Sequence, residues 1–271
     1  MTGKRECRKA AQVKKPVAGK TDKKVERGRL AKLDTWLATH KKVGIALWAL
    51  GLAAWVGVVL YCVQWALVLL FRATIPYETL ASNWFSAFYT FVCYAVSSFI
   101  IIAIPWRFLK CKTTRDELGL RGLPTWTDVL LAPIGFIVSI IAAGALTALM
   151  MLIMPQIDWQ QTQEVGFHGL YAIADYMLAF TCLVVLAPIA EELLFRGWLY
   201  GKLRARMAAL PAILITSVLF GIMHGQANVG VVVFALSVVM CISRELTGTI
   251  WAGILIHMIK NGIAFYFLFR M

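Results

Sequence analysis

The amino-acid sequence predicts an all-α, polytopic transmembrane bundle of about seven spans with its N-terminus in the cytoplasm. Sixty per cent of the 271 residues are apolar and mean hydropathy is +0.74, a composition that places the chain among helical membrane proteins. Uncharged runs recur at a length suited to a hydrocarbon layer of about 30 Å. Basic residues collect in alternate connections, as the retention of Lys and Arg on the cytoplasmic side requires.

Residues 1–42 carry 14 Lys/Arg against four acids (Glu6, Asp22, Glu26, Asp34), so this tail supplies +10 of the net charge of +13. It has few aromatic residues and no apolar period, and is expected to be disordered up to about Leu30. Beside a membrane span, such a tail is held in the cytoplasm and attracted to anionic lipid by about 1 kcal/mol per basic residue. No nucleic-acid partner is expected; the bilayer is. The first apolar run, 43–71, is too long for a signal-peptide core and is expected to remain as an uncleaved span.

Further spans are expected at 83–105, 128–154, 171–190, 208–224, 229–243 and 249–269. The shortest, 229–243, is expected to be tilted or incompletely spanning. Connection 72–82 has one basic residue and fits outside, whereas 106–127 has five (Arg107, Lys110, Lys112, Arg115, Arg121) and fits inside. Connection 155–170 has none and carries Asp158 and Glu164, whereas 196–206 has Arg196, Lys202, Arg204 and Arg206. The chain thus divides into the tail 1–42, a first set of helices over 43–170, and a region 171–271 that holds the unusual polar residues. Six cysteines show no CxxC pairing, so neither a disulfide framework nor a cysteine-built zinc site is expected.

Three constellations carry chemistry. The first is Ala187-Pro-Ile-Ala-Glu191-Glu192-Leu-Leu-Phe-Arg196, directly after an apolar run. An ionisable group at mid-membrane depth costs roughly 2.5–3.5 kcal/mol. Glu192 and Arg196 are four apart with the acid N-terminal to the base, the favoured order on a helix. Glu191 is turned about 100° away and lacks this partner, which leaves it available as a general base. The second is Phe220-Gly-Ile-Met-His224, and the third is His257-Met-Ile-Lys-Asn261, in which His257 and Asn261 share a helical face.

A straight threading puts Glu191 and His224 roughly 25 Å apart at 1.5 Å per residue. A helical hairpin turning near 208–210, with Pro211 in the first turn of its second arm, instead pairs residues whose numbers add to about 416. Glu191 or Glu192 then faces His224, provided that the acidic helix lies in the membrane after a break at Pro188. Counted from Arg244, His257 falls at a similar depth, roughly 20 Å in. Glu191, His224 and His257 match the ligand set of many catalytic zinc sites. The same residues also suffice without metal: Glu191 and His224 to activate water, His257 and Asn261 to stabilise an oxyanion. Both versions remain open from the spacing.

The motifs E-E-x-x-x-R, F-x-x-x-H and H-x-x-x-N, met in that order on separate apolar segments, resemble the CAAX-protease and bacteriocin-processing (CPBP, or Abi) family of intramembrane proteases. The match covers roughly 175–265, and Asp-Glu-Leu-Gly-Leu at 116–120 resembles the stretch leading into the family domain. The resemblance implies a hydrolase of membrane-associated or lipidated peptides in a cell membrane, with Glu191 activating water and Glu192 and Arg196 supporting it. By the same resemblance His224 and His257 are site histidines and Asn261 polarises the scissile carbonyl. Eukaryotic members remove a C-terminal tripeptide from prenylated proteins; many prokaryotic ones are linked to bacteriocin maturation or immunity. The site is expected to open toward the cytoplasm. A non-catalytic scaffold or immunity protein is the alternative, and a proton-coupled transporter the third. Lys260, within a turn of both His257 and Asn261, either snorkels or binds a substrate carboxylate.

Overall fold

The computed structural model describes residues 41–109 and 112–269; the basic tail before Lys41, with the disorder expected of it, lies outside these residues. Seven apolar helices dominate: α1 (Lys41–Thr74), α2 (Asn83–Leu109), α3 (Trp126–Ile153), α4 (Ile173–Arg204), α5 (Ala209–Ile222), α6 (Ala227–Thr247) and α7 (Trp251–Leu268). Six are long and apolar enough to cross a membrane. The protein is a multi-pass integral membrane protein.

The incomplete span is not the one expected. The 229–243 segment lengthens into the 21-residue α6, while α5 has only 14 residues, about 21 Å of rise against a hydrocarbon layer of about 30 Å. Helix α5 nevertheless keeps a membrane face, because Leu210, Leu214, Val218 and Ile222 are all exposed and fall four apart. Its other face is the core side, with Ala212, Ile213, Thr216 and Phe220 buried. Where α5 ends and α6 begins, the backbones touch: a Cβ on Gly221 would lie 2.8 Å from the Gly230 carbonyl oxygen. Small residues at a crossing permit that approach between membrane helices.

Helix α4 also departs from expectation. It runs unbroken for 32 residues, and no break occurs at Pro188. Two widened π-helical stretches, Thr181–Leu186 and Leu193–Leu199, are spliced into it instead. In the first, the Ala187 N–H bonds the Cys182 carbonyl, five residues back. The next donor in that register would be Pro188, which has no N–H. A wider turn therefore absorbs the proline without ending the helix.

Helix α6 packs chiefly on α3 and α5, and α7 chiefly on α3. Thr125 and Asp128 form a capping box at the start of α3, and the second Asp128 oxygen accepts a bond of 2.9 Å from Thr249 between α6 and α7. At the same end, Arg244 donates to the carbonyls of Gly197 (3.1 Å) and Glu117 (2.6 Å). Lys202 pairs with Glu117 at 2.9 Å and Arg204 with Glu245 at 2.9 Å. The 116–120 stretch is thus a clamp that fixes α4 against α6. Its Gly119 has φ +71, and its carbonyl accepts from the Ile250 N–H at 3.0 Å. A buried core of Leu194, Phe195, Trp198, Leu199, Phe220 and Met240 lies next to this clamp.

Candidate active site

The three constellations meet. Phe195 of α4 and Phe220 of α5 stack edge-on at 4.9 Å between centroids, and the Arg196 guanidinium lies 4.3 Å over the Phe220 ring. Both contacts obey the predicted hairpin pairing. Glu191 lies six residues above Gly197, which Arg244 anchors, and His257 six above Trp251. Each is therefore about 9 Å along its helix from that anchored end, not the 20 Å expected of His257. Residues 245–250 finish α6 and turn into α7, so they add no depth to a count from Arg244.

Glu192 and Arg196 are fully buried and joined at 2.8 Å. The same Glu192 oxygen, Oε1, lies 3.1 Å from His257 Nδ1. A carboxylate only accepts, so His257 donates its Nδ1–H and turns Nε2 the other way. That nitrogen lies 3.8 Å from Glu191 Oε2. Gly253 makes room for the arrangement, since a Cβ there would sit 2.9 Å from Glu192 Oε2. Arg196 gains a second contact in the Phe220 face, which compensates its buried charge where Nε and Nη2 have no hydrogen-bond partner.

Glu191 is less enclosed, with 18% of its side chain exposed. Its Oε1 accepts a short hydrogen bond from the Tyr94 hydroxyl of α2, and its Oε2 has no hydrogen-bond partner. Nothing in the residue pattern marks Tyr94, which reads as one more aromatic residue in a lipid-facing run. His224 sits in the turn after α5, where its Nδ1 donates to the Phe220 carbonyl at 2.8 Å, leaving Nε2 as an acceptor. Glu191 and Lys260 are the acidic and basic side chains acting on it. An acceptor behind each histidine thus holds its Nδ1–H and orients the ring.

Asn261 makes a contact that the resemblance did not include. Its amide donates at 2.8 Å to the carbonyl of Leu183, the group that Pro188 leaves without a backbone donor. One amide hydrogen thus ties α7 to the π-helical stretch of α4, and one remains. Among the described residues, no group of three or more His, Cys, Asp and Glu side chains is arranged to hold a metal ion. His257 Nε2 and Glu191 Oε2 face one another too far apart to hydrogen bond, and each histidine commits its Nδ1 to an acceptor. An Nδ1 bound to an acceptor leaves Nε2 as the available nitrogen of each histidine. A cleft beside Lys260 is lined by Trp159 and Gln163. It lies under the α3–α4 connection.

A helical membrane bundle with two adjacent glutamates and two histidines converging inside it defines a class of intramembrane site. Comparison with known proteins gives two likenesses. Residues 173–263 match the model described as type II CAAX prenyl endopeptidase Rce1-like. The "Putative membrane peptidase YdiL" of Bacillus subtilis (strain 168) is 25% identical over 174 residues, 62% of this chain and 65% of that protein. The match therefore spans slightly less than two thirds of that relative. No solved structure matches.

Proposed function

We propose that the protein is an intramembrane endopeptidase that hydrolyses a peptide bond of a membrane-associated or lipidated peptide, with Glu191 as general base. The observation that carries this reading is the division of labour between adjacent carboxylates. Glu192 is neutralised by Arg196, whereas Glu191 keeps an unpartnered oxygen beside His257 Nε2 and is still reachable. In the reaction, Glu191 Oε2 takes a proton from water, helped by the His224 Nε2 lone pair. The hydroxide adds to the scissile carbonyl. His257, carrying a proton on Nε2 and held through Nδ1 by Glu192, donates to the oxyanion, and the second amide hydrogen of Asn261 reaches the same oxygen. The tetrahedral intermediate collapses, the C–N bond breaks, and the proton held by Glu191 goes to the leaving amine. Tyr94 fixes the Glu191 carboxyl in orientation.

A lipid-modified substrate is supported by an apolar groove of about 530 Å³ between α3, α4 and α7. Val129, Phe180, Leu255 and Ile263 line it, one helical turn from Asn261. The scaffold alternative has its own support, since Arg196 and Asn261 both make contacts that a non-catalytic bundle would use. Peptide hydrolysis by the purified chain separates the two. Glu191→Ala, His224→Ala and His257→Ala are each expected to abolish cleavage in protein that still folds. Cleavage surviving all three changes would sink the site. A chelator is expected to leave wild-type hydrolysis intact; loss on chelation with recovery on zinc would overturn the glutamate–water mechanism.

A further inference from the structure

The connection between α3 and α4 is an exposed loop that hides one large apolar side chain. Residues 154–172 carry no helix or strand, yet Phe167 is only 3% exposed. Its ring packs in a buried cluster with Ala87 of α2 and with Ala179 and Cys182 of α4, edged by Leu178 and Phe265. Gly166 before it has φ +77 and Gly169 after it φ +57, a left-handed conformation that other residues rarely hold. These two turns let the ring drop between the helices while the backbone beside it stays at the surface. A bond of 3.3 Å from the His168 N–H to Asn83 Oδ1 holds the same part of the loop against α2.

The preceding part of the loop is tied to the turn that carries His224. Asn228 donates to the Gln161 carbonyl at 2.7 Å and Gln226 to the Thr162 carbonyl at 3.4 Å, from positions four and two residues after that histidine. Phe167, five residues beyond Thr162, rests on the face of α2 that bears Tyr94, because Ala87 and Tyr94 are seven residues, or two turns, apart. The loop therefore bridges two elements of the site: the turn with His224, and the helix whose Tyr94 binds Glu191. With 18% of its side chain exposed, Glu191 admits water but not a peptide backbone with its flanking side chains. A substrate chain reaches it only if a covering segment moves. One buried ring and three hydrogen bonds fix this loop to the helices, and segments so lightly held open locally without unfolding the bundle.

We infer that residues 159–169 form a lid over the entrance to the site, latched by Phe167 between the turns at Gly166 and Gly169, and that lifting it admits the substrate chain to Glu191. The inference rests on the hydrolase reading for its meaning, but its test needs no catalysis. Cys182 shares the latch cluster and is 4% exposed, whereas Cys241 is buried in the main core at 0%. Full-length protein in lipid nanodiscs is treated with a water-soluble methanethiosulfonate bearing a quaternary ammonium, and modification of each thiol is timed by peptide mass mapping. In the wild type Cys182 is expected to react about tenfold or more faster than Cys241, as local opening outpaces global opening. Phe167→Ala should speed Cys182 by about a further tenfold and leave Cys241 unchanged, while Phe167→Leu should keep most of the protection. The double variant Gln226→Ala/Asn228→Ala should speed Cys182 about threefold or more, although neither residue belongs to its cluster, because the lid moves as one piece. A Cys182 rate unmoved by Phe167→Ala overturns the inference, as does equal acceleration of Cys182 and Cys241, which marks general loosening. A double variant without effect on Cys182 also overturns it, by showing that the two parts of the loop move independently. Failure of the wild-type protein to cleave any peptide would refute the hydrolase reading and leave these labelling outcomes unaffected.

Discussion

Replacing Arg196 with methionine keeps most of the side chain's length and removes its charge. Glu192 would then carry a carboxylate at zero exposure with only His257 donating to it, at 3.1 Å. Breaking one partner of a buried ion pair typically costs about 3–5 kcal/mol, because the surviving charge is uncompensated. Loss of the guanidinium from the Phe220 face, 4.3 Å away, adds to this on the order of 1–2 kcal/mol. The double variant Glu192→Gln/Arg196→Met removes both charges together and should recover about 2 kcal/mol or more relative to the sum of the two single changes. Activity should not recover with stability, since His257 loses the carboxylate that sets its orientation. The assay is reversible unfolding in mixed detergent, run as a double-mutant cycle beside peptide hydrolysis. An Arg196→Met cost below about 1 kcal/mol, the value of an exposed pair, would refute the reasoning, as would single changes that simply add.

Three further perturbations separate the other parts of the site. Tyr94→Phe removes the hydroxyl bound to Glu191 and is expected to lower kcat/KM about tenfold or more with little change in unfolding; unchanged kinetics would deny Tyr94 its positioning role. Gly253→Ala puts a methyl group 2.9 Å from Glu192 Oε2, so it should destabilise by about 1–3 kcal/mol and depress hydrolysis through displaced His257, as seen in unfolding and steady-state kinetics. Pro188→Ala restores an N–H that competes with Asn261 for the Leu183 carbonyl. Asn261→Ala should therefore cost about 1 kcal/mol or more in the wild type and measurably less in Pro188→Ala protein; equal costs in the two backgrounds would argue against the shared carbonyl.

The residues differ in how far the sequence revealed them. Glu192 and Arg196 were legible because helical geometry alone places i and i+4 on one face, and the hairpin pairing was legible because it needs only a count across a turn. Glu191 stood out by elimination. The course of α4 was not legible, since Pro188 signals an ending and a π-helical turn that absorbs it leaves no mark in the residue pattern. The tie of Asn261 to the Leu183 carbonyl depended on that turn and was hidden with it. Tyr94 acts across 97 positions of chain, and nothing local distinguishes it from the aromatic residues facing lipid. The short span was misassigned because hydropathy gives apolar length, whereas the end of α5 is set by the turn that positions His224.

The central claim, that Glu191 directs water onto a peptide carbonyl inside the bundle, is tested most directly by hydrolysis in water enriched in oxygen-18. Full-length protein in lipid vesicles is given an apolar peptide, and the product fragments are read by mass spectrometry. The account predicts one heavy oxygen in the new carboxylate of the N-terminal fragment for the wild type, and no product for folded Glu191→Gln protein. Cleavage without label, or labelled product from Glu191→Gln at the wild-type rate, would contradict it.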